Sequence, residues 1–454
     1  FGMIGTSLSG VTFISVPGAV GIMSGEEFKA FSYFQLVLGY LVGYFIIGTV
    51  LMPLYYRLNL ISIYTYLEQR FGYWAYKTGS LFFLVSRSIG SSLRLYLAAM
   101  VLHIFLFEQW SIPFYVTVGI TILLIWVYTF KGGIKTIVWT DTFQTVFLVS
   151  AVGISVYMIS QQLGLGLGEM INKVYESPFS KTYFADNFLD SKNFFKQFVS
   201  GAFLALVMTG LDQDLMQKNL SCRNIKDAQK NIFSFSVIMV VVNLLFLVLG
   251  ALLYIYANEK GLAIPTESDQ LFPTLALNNF GLVVGIFFLL GITASTYASS
   301  DSALAALTTS FCIDFLDFKN KPEKIKHKQK GLVHIGFSVL FLLIIIVFNE
   351  IGSSSVISSV LKAASYTYGP LLGLFAFGLL NKRKVFDKFT PLVCVISPLL
   401  TYVITVSIET YTPYRFAYEN LIINGVICFI GLWIISSKGV AGEKENPAVV
   451  EMVK

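Results

Sequence analysis

Two groups of polar residues sit where polarity is expensive. An otherwise apolar run carries Thr293, Ser295, Thr296, Ser299, Ser300, Asp301 and Ser302, and another carries Arg87, Ser91 and Arg94. Ionisable groups inside apolar spans are costly and face a pathway or a partner. The chemistry they offer is binding rather than bond-making. Several neutral oxygens around one carboxylate suit a monovalent cation, whereas calcium recruits more charge. Arg87 and Arg94 lie two helical turns apart, so they project from one face with Ser91 between them. Their guanidinium forks match a carboxylate. A third group, Gly5-Thr6-Ser7-Leu8-Ser9-Gly10-Val11-Thr12, packs glycines and hydroxyls into a membrane segment. Such a run predicts an unwound helix, which lipid tolerates only where protein or a wet cavity serves the freed carbonyls and amides.

The elements that hold these residues follow from composition. The 454 residues are 55% hydrophobic, 15% aromatic and 13% charged, with a mean hydropathy of +0.71. That describes an all-α polytopic membrane protein. Apolar stretches of bilayer-spanning length predict helices near 2–23, 33–52, 79–107, 111–130, 137–161, 197–217, 232–257, 277–313, 332–349, 355–380, 389–408 and 417–436. Basic residues stay in short cytoplasmic loops, and alternate loops hold 22 of the 32 Lys and Arg. With the first helix running outward, this places the C-terminus in the cytoplasm. The net charge of +6 therefore reflects topology, and nucleic acid is not implied as a partner. The tail 438–454 is polar and is expected to be disordered. The chain opens inside a hydrophobic helix without an initiating Met or a signal-peptide n-region.

Other ionisable groups in or beside the spans are Asp141, Asp212, Asp214 and Lys362. Asp212 and Asp214 stand close to Lys218 and read as solvated groups at a helix end. Lys362 either faces the pathway or snorkels to the outer interface. Arg87 either meets the solute or serves as a partner of Asp301 or of a helix end. Cys222, Cys312, Cys394 and Cys428 show no paired spacing, and His103, His327 and His334 show no metal-ligand spacing. The phosphate loop, HExxH, nucleophile elbow and arginine voltage sensor are all missing from the sequence, which argues against an ATP-driven pump and against an enzyme.

Several spaced segments carry a resemblance. Tyr128-Thr129-Phe130-Lys131-Gly132-Gly133-Ile134-Lys135-Thr136-Ile137-Val138-Trp139-Thr140-Asp141-Thr142-Phe143-Gln144 resembles the hallmark of the sodium:solute symporter family. Tyr66-Leu67-Glu68-Gln69-Arg70-Phe71, Asp212-Gln213-Asp214-Leu215-Met216-Gln217-Lys218, Cys312-Ile313-Asp314 and Tyr368-Gly369-Pro370-Leu371-Leu372-Gly373-Leu374-Phe375 are similar to family segments in the same order. The resemblance implies the leucine-transporter (LeuT-like) fold with 5+5 inverted helix repeats. It divides the chain into a first repeat over 1–161, an external loop over 162–196, a second repeat over 197–380, two additional helices over 381–437 and the tail. Members begin with one further helix and a Gly-Gly-Arg loop, so residues are expected to precede Phe1.

The resemblance also implies ligands, with one or two Na+ ions as the only cofactor. A common sodium site would use Gly5, Leu8, Ser295, Ala298 and Ser299. Ala298 departs from the hydroxyl of the pattern, so either one ligand is missing or Ser300 and Asp301 compensate. A second sodium site found in some members would use Asp141, Asp301 and Ser302. Ser7, Ser9 and Thr12 match solute contacts of bacterial sodium/sialic acid relatives. The arginine those relatives use for a carboxylate aligns with Gly90, leaving Arg87 and Arg94 one turn to either side, with Ser91 between and Lys362 along the pathway. The expected function is sodium-coupled import of a small organic solute by alternating access across a plasma or bacterial inner membrane. A sialic acid, sugar acid or monocarboxylate is favoured. A neutral sugar, polyol or amino acid is the alternative, and a channel or a transporter-derived sensor is the alternative of another class. The partners expected are the solute, sodium and the lipid bilayer, with no obligate protein partner.

Overall fold

The computed structural model describes residues 10–24, 27–60, 62–131, 134–316, 318, 321–352 and 355–440, with the side chains of 127–145, Ala298, 439 and 440 outside that description. The chain is built from helices. They are α1 (Gly10–Ala19), α2 (Ser32–Arg57, with a π turn at Ile47–Leu51), α3 (Thr65–Arg70), α4 (Tyr73–Leu102) and α5 (Phe114–Lys131). Next come α6 (Ile134–Leu163), α7 (Leu167–Glu176), α8 (Phe194–Ala205), α9 (Gln213–Leu220) and α10 (Ile225–Glu259). Then follow α11 (Leu271–Asn278), α12 (Leu282–Asp314), α13 (Glu323–Ile351), α14 (Val356–Thr367), α15 (Gly369–Leu380), α16 (Thr390–Tyr411) and α17 (Asn420–Ile434). Two small antiparallel ribbons, β1 (Met23–Ser24) with β2 (Glu27–Phe28) and β3 (Arg383–Val385) with β4 (Ser436–Val440), tie loops at opposite ends.

Among the described residues, seven helices are long and apolar enough to cross a membrane, and two bent pairs bring that number to nine. Shorter apolar helices at Gly10–Ala19, Phe114–Trp126 and Asn420–Ile434 stand at three further expected positions. Leu332, Ile335, Val339, Leu343 and Val347 of α13 are exposed, an apolar face that only lipid or another apolar surface would cover. At the centre, α4 packs against α12, α13 and α14.

Two expected spans are not continuous. The helix expected over 197–217 ends in a π turn at Leu206–Gly210 and restarts as α9 at an angle of 67°. The helix expected over 355–380 bends by 46° between α14 and α15. Pro370 has no N–H to donate and disfavours helix at the residue before it, so it opens a new helix at its first turn. The expected external loop 162–196 contains α7.

α2 and α8 meet through small residues. A Cβ at Gly39 would collide with the Phe198 carbonyl, and one at Gly201 with the Leu36 carbonyl. Such contacts let backbones approach closely in lipid, where helix association depends on packing. Gly39→Val is expected to destabilise the protein by about 1–3 kcal/mol through overpacking, seen as a lower melting temperature in detergent; an unchanged melt would mean the pair can separate without cost.

The basic side is held by polar clamps. The Arg70 guanidinium donates to the carbonyls of Gly378, Asn381 and Arg383 at the end of α15. Asp387 accepts from the Trp74 and Ala75 N–H groups at the start of α4, at 2.8 and 2.7 Å. Asp314 accepts from the Tyr76 and Ser310 hydroxyls at 2.7 and 2.6 Å. At the opposite end, Asp269 Oδ2 accepts the Val356 N–H at 2.7 Å, capping the start of α14.

Asp269 lies in a loop outside the spans, and burial pushes its carboxyl from 3.8 up to about 7, partly opposed by the Val356 N–H. The folded state thus binds this proton more tightly than the unfolded chain does. The associated stability is full below about pH 4 and is lost as pH rises toward 7. The wild-type melting temperature is expected to fall across that window relative to Asp269→Asn; parallel curves would refute the assignment.

Candidate functional site

The site forms where α8 stops. At the break, the freed carbonyls find tyrosines: Tyr55 donates to the Gly210 oxygen at 2.9 Å and Tyr64 to the Leu211 oxygen at 2.8 Å. This is how irregular backbone survives at membrane depth. Asp212 then caps α9, its Oδ1 accepting the N–H groups of Asp214 and Leu215 at 3.0 and 3.2 Å.

Burial overturns the solvated reading of Asp212 and Asp214, which are 0% and 4% exposed. Asp212 Oδ2 accepts the Tyr368 hydroxyl at 2.7 Å and lies 3.7 Å from Arg87 Nη1. Asp214 Oδ2 pairs with Arg87 Nη2. Its Oδ1 accepts the Ser302 hydroxyl at 2.8 Å and lies 3.6 Å from Lys218 Nζ. Two buried carboxylates are tolerable because two cations and hydrogen-bond donors from α4, α9, α12 and the α14–α15 bend compensate them. Arg87 is therefore an ion-pair partner of the broken helix as well as a cavity-lining residue.

A cavity of about 110 Å³ lies beside this cluster, lined by Thr12 from α1, Arg87 and Arg94 from α4, Thr209 before the break, and Asn243 from α10. Arg94 makes no ion pair or hydrogen bond with any described side chain. Tyr33, Tyr40 and Tyr44 of α2 form the facing wall, with Tyr33 and Tyr40 hydroxyls 3.3 Å apart. Their spacing of seven and four places them on one helix face. Asn243 donates to the Met239 carbonyl at 2.7 Å, while its side-chain oxygen is buried without a partner among the described residues. The sequence reading missed these tyrosines and Asn243. An aromatic stripe reads as core packing, and a lone Asn in an apolar helix gives no spacing signal.

Thr12, Arg87 and Arg94 thus come together, whereas other expected solute contacts do not join them. Ser91 is buried with its hydroxyl unpartnered among the described residues, and it does not line this cavity. Lys362 lines a second cavity of about 220 Å³ that shares Tyr33 and Ile357 with the first. Ser7, Ser9, Gly5 and Leu8 lie outside the described residues, as do the side chains of Asp141 and Ala298.

On α12, Ser295, Thr296, Ser299, Ser300, Asp301 and Ser302 are all buried. The Thr296 hydroxyl lies 3.0 Å from where a Cβ on Gly10 would sit, so this helix faces the start of α1. The hydroxyls of Thr296 and Ser300 have no hydrogen-bond partner among the described residues. Ser299 donates to the Thr296 carbonyl at 3.1 Å. Buried oxygens short of donors fit a hard monovalent cation.

Comparison with known proteins agrees with this architecture. Mouse sodium-coupled monocarboxylate transporter 1 is 28% identical over 393 residues, covering 82% of this chain; the chain spans 60% of that transporter's length. The sodium/sialic acid symporter of Aliivibrio fischeri is 25% identical over 399 residues, covering 84% of this chain and 75% of its own. A solved substrate-bound, outward-open state of a Na+-coupled sialic acid symporter superposes with a TM-score of 0.77 at 19% identity, over 96% of this chain and 90% of that one. The chain therefore has the leucine-transporter-like fold. The sodium:solute symporter family model matches residues 1–385, and the chain belongs to that family.

Proposed function

We propose that the protein is a sodium-coupled symporter of a short monocarboxylate, held in the central cavity by Arg94. The carrying observation is a half-buried guanidinium without an ion-pair partner among the described residues, facing a small, mostly apolar space. A space of about 110 Å³ has the volume of about four waters, at about 30 Å³ each. It falls well below the ~300–1,000 Å³ of sites for drug-sized ligands, which argues for a short acid over a sialic acid. The name of the mouse relative points the same way. The unmet oxygen of Asn243 favours a solute that also carries a donor, such as a hydroxy acid.

Sodium binds between the start of α1 and the hydroxyls of Thr296, Ser299 and Ser300 on α12, with Gly5, Leu8 and Ser295 supplying carbonyls. Ion and solute each stabilise the outward-facing state that the other prefers, so each tightens the other. The Arg87, Asp212, Asp214 and Tyr368 cluster closes the cytoplasmic side in that state, and the cavity containing Lys362 opens outward. Residues 1–161 and 197–380 form the two inverted repeats, with the basic loops and the C-terminus in the cytoplasm.

The test is uptake into proteoliposomes under a sodium gradient, with labelled lactate and a competing panel of acetate, pyruvate, sialic acid, glucuronate, glucose, lactamide and iodide. Competition by the short acids alone supports the reading. Competition by glucose or lactamide, or by sialic acid ahead of pyruvate, contradicts it.

A further inference from the structure

Ser302 is one of the residues that family resemblance gives to a second sodium ion, with Asp141 and Asp301. In this chain its hydroxyl is already engaged by a cation of the protein. Ser302 Oγ accepts from the Lys218 ammonium at 2.8 Å and donates its proton to Asp214 Oδ1 at 2.8 Å. Lys218 Nζ is itself 3.6 Å from that carboxylate oxygen. A hydroxyl has one proton and two lone pairs, so one lone pair is left. A hard cation held there would sit about 4 Å from the ammonium. That like-charge contact would weaken binding about a thousandfold at the effective dielectric of a protein interior.

The two carboxylates at the start of α9 are matched by cations of the protein: Arg87 and Lys218 stand against Asp212 and Asp214. A plain i,i+4 surface pair between Lys218 and Asp214 would not reach across to α12, whereas here the ammonium bonds Ser302 on that helix.

We infer that the Lys218 ammonium is a tethered cation that takes the place of a second sodium ion, so that one sodium ion accompanies each solute. The inference rests on the sodium-symport reading above. Its consequence is mechanical as well as stoichiometric. Lys218 belongs to α9, the short helix after the break, and its side chain is 27% exposed. This cation therefore travels with α9 instead of being released and rebound in each cycle.

One sodium ion with one monovalent carboxylate moves no net charge. Wild-type protein in proteoliposomes is expected to take up labelled sodium and labelled lactate in equal amounts, at a rate insensitive to a potassium diffusion potential. Lys218→Arg keeps the tethered charge and should behave the same way. Lys218→Met and Lys218→Gln free the Ser302 and Asp214 oxygens, so the ratio should rise to two sodium ions per lactate and an inside-negative potential should accelerate uptake. Two sodium ions per lactate with Lys218 intact would overturn the inference and leave symport standing. So would a ratio of one in Lys218→Met or Lys218→Gln protein whose melt matches wild type. Where neither variant is recovered, the wild-type ratio decides. Lactate uptake that ignores sodium would remove the symport reading and this inference with it.

Discussion

Arg94→Ala is expected to raise the KM for lactate about 100-fold while leaving the melting temperature unchanged. The guanidinium reaches the cavity wall from α4 with no described side chain as its ion-pair partner, so truncation breaks no internal bridge. What is lost is the fork to the solute carboxylate. Hydrogen bonds to charged groups contribute about 1.5–3 kcal/mol each, and two of them bind as a unit. Arg94→Lys should recover only part of the loss, because an ammonium keeps the charge but not the planar pair of donors. Thermal shift and uptake must be read together. A variant that melts early would make Arg94 a structural residue, and one that transports lactate normally would move the anion site elsewhere.

Arg87→Met should behave in the opposite way, destabilising the fold first and transport only as a consequence. It leaves Asp212 and Asp214 buried with Lys218 as their nearby cation. Removing one partner of a buried ion pair costs about 3–5 kcal/mol, mostly from the stranded charge. The rescue separates this account from a simple loss of packing. Adding Asp212→Asn to Arg87→Met removes the carboxylate left without a cation, since Asp214 keeps Lys218, and should restore part of the stability, a non-additivity expected of groups in one network. If the double variant is no more stable than Arg87→Met, the cluster is not held by charge.

Much of this architecture is legible in the sequence because a bilayer imposes one length scale on every apolar run. The expected span positions coincide with long helices, short apolar helices or bent pairs. The polar faces of α4 and α12 were legible for a related reason, since arginines and an aspartate among serines stand out against leucine and phenylalanine. The break before α9 was harder to see. Asp212 and Asp214, followed by Gln217 and Lys218, look like a wet helix end, and only tertiary structure shows them covered by α4, α12 and Tyr368. A sequence signal was present: Gly210 followed by a capping Asp212 marks a helix start. The bend after Tyr368 was likewise signalled by Gly369-Pro370. Tyr33, Tyr40 and Tyr44 gave no such sign, because a tyrosine stripe facing a binding cavity and one facing a core share the same period. Lys362 lines the second cavity and not the central one, a placement that its position in the sequence does not show.

The most direct test of the central claim is equilibrium binding. Purified protein is melted with lactate across a concentration series, in sodium and in an equal concentration of potassium, because a ligand raises apparent stability according to its affinity for the folded state. The account predicts a lactate-dependent rise in melting temperature in sodium, little or none in potassium, and none with lactamide in either salt. Equal stabilisation by lactate in sodium and potassium would contradict the coupling of ion and solute.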